Sequence, residues 1–341
     1  MTRVLATGAE GYIGSRLVPI LCECDEIEVV IGLDVRPGPF RHPKYQFVHR
    51  DVREPMADLV SRHGIGTIVH LAYVVAPIHD EARMEEINLR GAANVLNACA
   101  AVPGVHLVYT SSTSVYGLHP DNQTPFTEDS PLRPNEDFIY VKNKGQIEEM
   151  VRRFAADHPQ ACVTVLRPCF VIGPGASHPL ALHLQKRVVF LPWSSPAFQF
   201  VHVRDVAQIL RHFITHPRTG VYNVAGAGEV TFHEMLKMLG NLHLPTFWPV
   251  MYPVNYLAWL LRLSFISGVP NPVLKMIRYP WQASTEKLRT EIGYEFAYDS
   301  RSAFQAFADA VRAESRRATR WWSRRGSGHG CVRSQGRETT G

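Results

Sequence analysis

The segment RVLATGAEGYIGSRL, residues 3–17, runs from an apolar, strand-like stretch directly into three evenly spaced glycines and then into a helical pattern. The glycines are Gly8, Gly11 and Gly14. Glycine permits a tight bend and a close approach of the backbone to a ligand, while a helix N-terminus offers free N–H groups and a positive dipole end. This order predicts a turn that binds the pyrophosphate of a dinucleotide. The alternative is a glycine-rich turn without a ligand.

Further short strand-like runs follow, each separated from the next by an amphipathic or polar stretch. They are VVIGLD (29–34), YQFVH (45–49), TIVHLA (67–72), VHLVYT (105–110) and VTVLRP (163–168). Strands buried on both faces and alternating with helices require a parallel sheet with right-handed crossovers. The predicted fold is therefore α/β, with a doubly wound parallel sheet of the Rossmann type over residues 1–170.

The regular alternation of strand-like and helical stretches ends after Pro168. Residues 171–312 are predicted to form a smaller substrate-binding region. Parts of 198–226 are expected to complete the sheet. Asp205 and Thr231 are expected to cap helices. The apolar span 247–266 contains two prolines and Arg262, so it is predicted to be a buried cap helix or a segment on a membrane surface, not a spanning helix. Residues 313–341 are predicted to be a basic, disordered tail.

The net charge of +5 is concentrated at the C-terminal end. Residues 315–341 hold seven arginines and one acidic residue, a charge of +6, which leaves about −1 for the rest of the chain. A near-neutral body argues against a nucleic-acid partner, although the basic tail could touch an anionic membrane. The six cysteines lack a C-x-x-C spacing, which favours reduced thiols in a cytoplasmic protein without a metal site. No signal peptide is expected.

Asp34 ends the second strand-like run, 20 residues after Gly14. A carboxylate there accepts hydrogen bonds from the adenosine ribose hydroxyls and repels a 2′-phosphate. The position therefore predicts NAD in preference to NADP. Arg36 keeps NADP open because it could pair with that phosphate, and Asp34 could instead simply begin a turn ahead of Pro37.

Nine stretches in order resemble one known family. They are TGAEGYIGS (7–15), DVRE (51–54), HLA (70–72), NLRGAANVL (88–96), TSSTSVYG (110–117), YVKNK (140–144), LRPCFVIGPG (166–175), FVHVRDVA (200–207) and GVYNVAG (220–226). With these motifs the chain is identified as a member of the extended short-chain dehydrogenase/reductases, in the NAD-dependent epimerase/dehydratase family. The resemblance is specific to about residue 230 and looser to about residue 312.

The resemblance implies roles for individual residues. Asp51 would accept a hydrogen bond from the adenine amino group, with Val52 against the ring, although Asp51 could instead be a helix cap. Asn88 would lie beside the cofactor or be a solvated helix residue. The complete implied cofactor site is Gly8, Gly11, Tyr12, Ile13, Gly14, Asp34, Asp51, Val52, Leu71, Ala72, Tyr73, Asn88, Tyr140, Lys144 and Pro168. The family also implies a homodimer.

Tyr140 and Lys144 share a helix face because they are four residues apart, whereas Lys142 points elsewhere. A nearby ammonium group favours the phenolate, so we expect a lowered pKa for Tyr140 and a role in proton transfer. Alignment on the VYG motif of the family selects Ser112 as the third catalytic residue. Thr113 is its closest rival by sequence.

The chain departs from the family pattern at Phe170 and Phe198. Members acting on nucleotide sugars often have Asn and Arg there, and aromatic rings cannot hold a diphosphate as an arginine fork does. Arg187 or Arg204 could replace that arginine. Two enzyme functions therefore stay open, a nucleotide-sugar epimerase type and a dehydrogenase or reductase of an apolar substrate similar to hydroxysteroid dehydrogenases. A non-catalytic dinucleotide sensor or scaffold is the remaining alternative.

Overall fold

The parallel strands predicted from the sequence form the centre of the molecule. The computed structural model describes residues 1–192, 194–264 and 266–326. Its strands are β1 (Thr2–Thr7), β2 (Ile27–Asp34), β3 (Tyr45–His49), β4 (Thr67–His70), β5 (His106–Thr110), β6 (Cys162–Pro168), β7 (Phe170–Ile172), β8 (Val188–Pro192), β9 (Phe200–His202), β10 (Gly220–Val224) and β11 (Leu242–Thr246). Seven of them form one parallel sheet in the order β10-β6-β5-β4-β1-β2-β3. The doubly wound Rossmann fold is confirmed.

Helices cover both faces of this sheet and extend into the C-terminal part of the chain. They are α1 (Gly14–Cys22), α2 (Ala57–His63), α3 (Glu81–Glu85), α4 (Gly91–Ala100), α5 (Ile139–Asp157), α6 (Pro179–Leu184), α7 (Val203–Thr215), α8 (Phe232–Leu239), α9 (Trp248–Leu260), α10 (Glu286–Ile292) and α11 (Ser300–Gly326). A π-helical segment (Glu86–Arg90) joins α3 to α4. Two 3₁₀ segments occupy Thr113–Tyr116 and Asn271–Ile277.

Neighbouring residues of β1 enter two different cores, because successive side chains of a strand point to opposite faces. Val4 packs with Leu17 of α1 and Leu210 of α7, whereas Leu5 joins the core formed by α2, α4 and α5. Both side chains are fully buried. This burial on both faces explains why the strands appear in the sequence as continuous apolar runs.

The smaller C-terminal part has its own core, built from α6, α8, α11 and the short strands. Phe200, Phe304 and Met235 are central to it. β9 pairs with β7 outside the main sheet, whereas β10 pairs with β6 inside it. Within residues 198–226, β10 therefore extends the main sheet and β9 does not.

Two local predictions in this region have different outcomes. Thr231 caps α8 through a capping box with Glu234, as expected. Asp205 does not cap α7, whose N-cap is His202. Asp205 instead lies in the first turn and accepts hydrogen bonds from the Tyr294 hydroxyl at 2.9 Å and the Ala297 N–H at 2.9 Å. These tertiary partners, supplied about 90 residues later, override the local capping pattern.

The predicted disordered tail is wrong for residues 313–326, which continue α11 to Gly326. The Ala, Arg and Glu residues of RAESRRATR favour helix, and the packed part of α11 provides a formed turn from which the helix extends. The rest of the tail, including Cys331, lies outside the described residues. The other five cysteines are free thiols.

A buried ion pair connects β6 of the main sheet to α5. Glu148 and Arg167 are both about 5% exposed, and the Arg167 Nε donates to Glu148 Oε1 at 2.9 Å. The Ser111 hydroxyl donates to Glu148 Oε2 at 2.7 Å, and Arg167 Nη1 donates to the Tyr116 hydroxyl at 2.7 Å. One carboxylate thus joins α5, the end of β5 and β6.

We expect Arg167→Met to lower the free energy of unfolding by about 3–5 kcal/mol, because it leaves the Glu148 carboxylate buried without its cation. Urea titration followed by circular dichroism measures the change. Arg153→Met is the matched control, since Arg153 pairs with Glu149 on the exposed face of α5 and should cost less than about 1 kcal/mol. Equal losses in the two variants would contradict a structural role for the buried pair.

Candidate active site

The glycine turn between β1 and α1 is held by close backbone contacts. Gly8 has φ +68°, and a Cβ at that position would lie 2.7 Å from the backbone nitrogen of Ala72. A Cβ at Gly14 would collide with the carbonyl oxygen of Gly8. At these two positions a larger residue would force the turn open. The turn therefore fits directly against the residues that follow β4.

The same turn offers donors for an anion. Within the described part of the chain, the N–H groups of Tyr12 and Ile13 have no backbone carbonyl acceptor, and both directly precede α1. Gly11 leaves its side of the turn open, with only the Gly8 carbonyl oxygen 3.1 Å from where a Cβ would be. Free N–H groups beside a positive helix end fit a pyrophosphate. The residues present thus match the dinucleotide that the sequence predicts.

Asp34, at the end of β2, accepts hydrogen bonds from the N–H groups of Glu10 at 3.1 Å and Val35 at 2.8 Å. It therefore fixes the glycine turn as well as its own turn. The Glu10 carboxylate accepts a hydrogen bond from Tyr45 at 2.7 Å and lies in the same corner. Two carboxylates meet at this end of the turn, while Arg36 is exposed.

The remaining residues predicted for the cofactor lie around the same edge of the sheet, because the carboxyl ends of parallel strands meet there. Leu71, Ala72 and Tyr73 follow β4, and Pro168 ends β6. Asn88 lies in the π-helical segment, where its Oδ1 accepts from the Val74 N–H at 2.9 Å and its buried Nδ2 has no partner.

The adenine-side residues predicted from the family follow β3. Asp51 accepts three hydrogen bonds from Arg53, including Nη2 at 2.8 Å, and Arg53 reaches Glu86 at 3.1 Å. Asp51 does not cap a helix, since α2 begins after Met56. Val52 is buried against Gly91, where a Cβ would lie 2.7 Å from its Cγ1. The adenine contact itself stays a prediction.

Ser112 is placed differently from its three polar neighbours. The Ser111 hydroxyl turns to Glu148, and the Thr113 hydroxyl donates to the Pro168 carbonyl at 3.5 Å. The Ser112 Oγ accepts from the Ser114 N–H at 3.2 Å and from the Ser114 hydroxyl at 2.9 Å. A hydroxyl has two acceptor sites and one donor, so the Ser112 O–H remains able to donate.

The Tyr140 side chain lies beside this serine pair, at the start of α5. Its ring meets the Tyr73 ring edge-on at a centroid distance of 5.5 Å, and the Tyr73 hydroxyl donates to the Tyr140 carbonyl at 2.8 Å. Lys144 Nζ lies 3.8 Å from the centre of the Tyr73 ring and donates to the Thr110 carbonyl at 2.8 Å. Tyr140 and Lys144 thus meet in one buried site, with the Tyr73 ring contacting both.

The pKa of Tyr140 is raised, opposite to the lowered value expected from its spacing to Lys144. Burial is the main cause, and the Ser112 and Ser114 hydroxyls act in the other direction. Burial also lowers the pKa of Lys144 to about 7, which Glu148 partly offsets. The spacing predicted proximity but not the cost of removing both groups from water. On its own, the chain therefore holds Tyr140 as a neutral phenol.

Two buried polar residues of this site were not found from the sequence. Glu148 lies one turn beyond Lys144 on the same face of α5, and the four-residue repeat from Tyr140 was the available signal. His70, at the end of β4, shares a 2.8 Å hydrogen bond with the Thr7 hydroxyl, and burial lowers its pKa to about 3. A neutral His70 adds no charge beside Lys144.

A family model described as "NAD dependent epimerase/dehydratase family" matches residues 4–225. The chain belongs to this family. It is an NAD-dependent enzyme of the extended short-chain dehydrogenase type, as the resemblance predicted. The match covers the glycine turn, the serine segment and the start of α5.

Individual relatives agree with this placement in the epimerase/dehydratase family. An uncharacterized Mycobacterium tuberculosis protein is 28% identical over 89% of this chain and 82% of its own length. The ADP-L-glycero-D-manno-heptose-6-epimerase of Pseudomonas paraeruginosa is 27% identical over 70% of this chain and 77% of its own length. The structure of Thermus thermophilus UDP-glucose 4-epimerase with NAD shares the fold, with a TM-score of 0.71, 21% identity and coverage of 91% and 99% of the two chains.

The burial of Lys144 predicts a specific pH dependence of stability. Its pKa is about 7 in the folded chain and 10.5 in its ordinary state. Between these values the unfolded chain holds one more proton, so the free energy of unfolding contributed by this group rises with pH from about 7 to 10.5. In Lys144→Met, the increase in the free energy of unfolding over this pH range should be smaller by at least about 1 kcal/mol.

Chemical unfolding at pH 7 and pH 10 measures the effect. Lys142→Met is the control, since Lys142 lies on the same helix and pairs with Glu85 at 3.4 Å near the surface. It should keep the pH dependence of the original chain. An identical pH profile for Lys144→Met and Lys142→Met would show that Lys144 is charged in the folded state.

Proposed function

We propose that the chain binds NAD at the carboxyl edge of β1, β2 and β4 and transfers a hydride at a secondary alcohol or ketone carbon of a small molecule. Ser112, Tyr140 and Lys144 would carry the proton chemistry. The observation that carries this proposal is that the three residues converge. Ser112 and Lys144 are buried, and the partly buried Tyr140 lies beside Ser112 and shares the Tyr73 ring as a neighbour with Lys144. A sensor that only binds a dinucleotide would need the turn and Asp34 but not this arrangement.

Each catalytic side chain has a separate task in this proposal. Ser112 donates its remaining hydrogen to the substrate oxygen, because Ser114 fills its acceptor sites. Tyr140 takes the hydroxyl proton during oxidation and returns it during reduction. Lys144, oriented by the Thr110 carbonyl, favours the phenolate form of Tyr140 when it is charged. When bound, NAD supplies the hydride acceptor and donor.

The electrostatics of the turn support NAD as the cofactor over NADP. Asp34 and Glu10 lie together where the adenosine ribose is expected, and their N–H and tyrosine contacts fix them there. A 2′-phosphate would meet two carboxylates. A basic side chain such as the exposed Arg36 would have to compensate both.

The surroundings of Tyr140 support an apolar substrate. Tyr140, Phe170 and Met276 pack against one apolar cluster that includes Phe138 and Trp281. The Phe170 and Trp281 ring centres are 4.8 Å apart, and the Phe138 and Tyr140 ring centres 5.8 Å apart. Aromatic walls of this kind favour a hydrophobic ring or chain beside the reacting carbon.

A nucleotide-sugar epimerase is the second candidate, favoured by the relatives. The heptose epimerase and UDP-glucose 4-epimerase described above act on nucleotide sugars according to their names. In that reaction the hydride returns to the same substrate, and no net change in cofactor accumulates. In the dehydrogenase reaction, a ketone and reduced cofactor are released.

Tyr140→Phe removes the proposed proton carrier while leaving the ring packing in place. We expect turnover to fall by about 10²–10⁴-fold, with NAD affinity changed little. Stopped or continuous assays give turnover, and fluorescence or calorimetric titration gives NAD affinity. Tyr256→Phe, at a side chain that is 55% exposed, is the matched control and should keep full activity.

If Tyr140→Phe retains full turnover, Tyr140 is not the acid/base of the reaction. If NAD binds but neither the original chain nor Tyr140→Phe shows redox or epimerase activity, the result favours the sensor alternative over the proposed hydride transfer.

A paired substrate screen separates the two enzyme candidates. We expect NADH formation from apolar secondary alcohols such as hydroxysteroids, and Phe170→Asn should lower kcat/KM for them by about tenfold or more. Phe190→Asn is the control, since Phe190 is 52% exposed in β8. Epimerisation of UDP-sugars without net NADH, unaffected by Phe170→Asn, would instead establish the second candidate.

A further inference from the structure

Helix α9 presents an outward face without charge. Within its 13 residues only Asn255 and Ala258 are buried. Its exposed positions are Pro249, Val250, Pro253, Val254, Tyr256, Leu257 and Leu260. A surface helix normally turns charged and polar residues outward, and a helix that is apolar all round is normally buried. The exposure of this apolar face to water is therefore unfavourable.

The exposed apolar surface continues on both sides of α9. Phe247 before the helix is 68% exposed, and Leu261 after it is 63% exposed. In the preceding strand β11, Leu242 and Leu244 share one face because they are two residues apart, and Leu244 pairs with Phe190 of β8. We call the set the apolar face: Phe190, Leu242, Leu244, Phe247, Val250, Val254, Tyr256, Leu257, Leu260 and Leu261. Large exposed apolar surfaces mark interaction sites.

The chain segments that carry the apolar face contain basic residues and no acidic ones. Residues 235–285 contain no Asp or Glu, and residues 168–204 contain none either. Arg262 directly follows the helix and is exposed, as is Arg187 at the start of β8. Arg278 lies over the rings of Trp248 and Tyr252, at 5.2 and 5.3 Å, which anchors a guanidinium beside the start of α9.

Two acidic residues of neighbouring segments have partners of their own. Asp137 accepts from the Lys275 ammonium at 2.7 Å, and Asp80 caps α3 by accepting from the Arg83 N–H. A second copy of the chain docked symmetrically would offer these cations no carboxylate from the same segments, since a two-fold interface repeats one surface on both sides. Anionic lipid headgroups complement them instead.

We propose that the apolar face docks on an anionic lipid bilayer, with α9 lying in the plane of the surface. Its aliphatic side chains would enter the region between headgroups and acyl chains, and Arg187, Arg262 and Arg278 would meet the headgroup phosphates. No helix in the described residues is long and apolar enough to cross a membrane. The 13 residues of α9 are about 20 Å long, a length suited to lying on the surface.

The docking surface adjoins the candidate active site. The Trp259 ring stacks on His79 at a centroid distance of 3.8 Å, and His79 belongs to the loop that follows β4 and Tyr73. The 3₁₀ segment Asn271–Ile277 carries Met276, which packs with Tyr140 against the same cluster. A docked chain would therefore hold the apolar wall of its site close to the bilayer. The docking proposal stands on the apolar face and not on the reaction assigned to the site.

Vesicle sedimentation with the full chain tests the proposal. The probes are vesicles of phosphatidylcholine alone and of phosphatidylcholine with one quarter phosphatidylglycerol. We expect co-sedimentation with the anionic vesicles, weakened by high salt, and an apparent affinity at least about tenfold lower in Leu257→Glu/Leu260→Glu. Leu132→Glu, at an apolar side chain 40% exposed outside the apolar face, is the matched control and should bind like the original chain.

Three outcomes would overturn the proposal. The first is no sedimentation with either vesicle. The second is binding that persists undiminished in Leu257→Glu/Leu260→Glu, which would place the contact elsewhere, such as in the arginine-rich C-terminal segment. The third is a self-associated chain that the double variant converts to a smaller species without any lipid binding, which would make the face a protein interface. Circular dichroism and thermal unfolding must match in all variants, which separates docking from folding.

Discussion

The rest of the site depends on the hydrogen bonds and the ion pair that the buried Glu148 carboxylate makes. It accepts from Ser111 after β5 and pairs with Arg167 of β6, while its own helix carries Tyr140 and Lys144. The serine segment and the face of α5 that carries Tyr140 and Lys144 are thereby fixed relative to each other. A carboxylate in this position also supplies the negative charge that a buried ammonium requires nearby. Structure and electrostatics are thus provided by the same residue.

The fold could be predicted from the sequence because parallel strands are buried on both faces, and their apolar runs are visible without any tertiary information. The predicted strands at 45–49 and 163–168 differ from the observed ones by at most one residue. The glycine turn was recognisable for a related reason. Its geometry excludes side chains at Gly8 and Gly14, so these two positions require glycine and the glycines are visible in the sequence.

The features that the sequence did not predict depend on distant partners. Asp205 matches a helix-cap pattern in the sequence, but in the structure it binds Tyr294 and Ala297, which lie about 90 residues later in the chain. The raised pKa of Tyr140 follows from burial, which spacing does not report. The alignment selected Ser112, but the hydrogen bonds that distinguish it from Thr113, to Ser114 and to the Pro168 carbonyl respectively, likewise follow from the folded structure. Residue identity and the family resemblance supplied the candidate residues of the site, and tertiary packing sets their protonation and hydrogen-bond directions.

The π-helical segment Glu86–Arg90 has a consequence for comparing this chain with its relatives. Together with α3 and α4 it forms one continuous helix from Glu81 to Ala100, in which the wider turn accommodates one extra residue. That residue rotates everything before it by about 100° relative to α4, and it places Asn88 against Val74 in the loop that follows β4. A relative lacking one residue here would keep the helix but lose this orientation. A single-residue gap in an alignment at 86–90 therefore indicates a changed helix orientation beside Val74, which a similar gap in a surface loop does not.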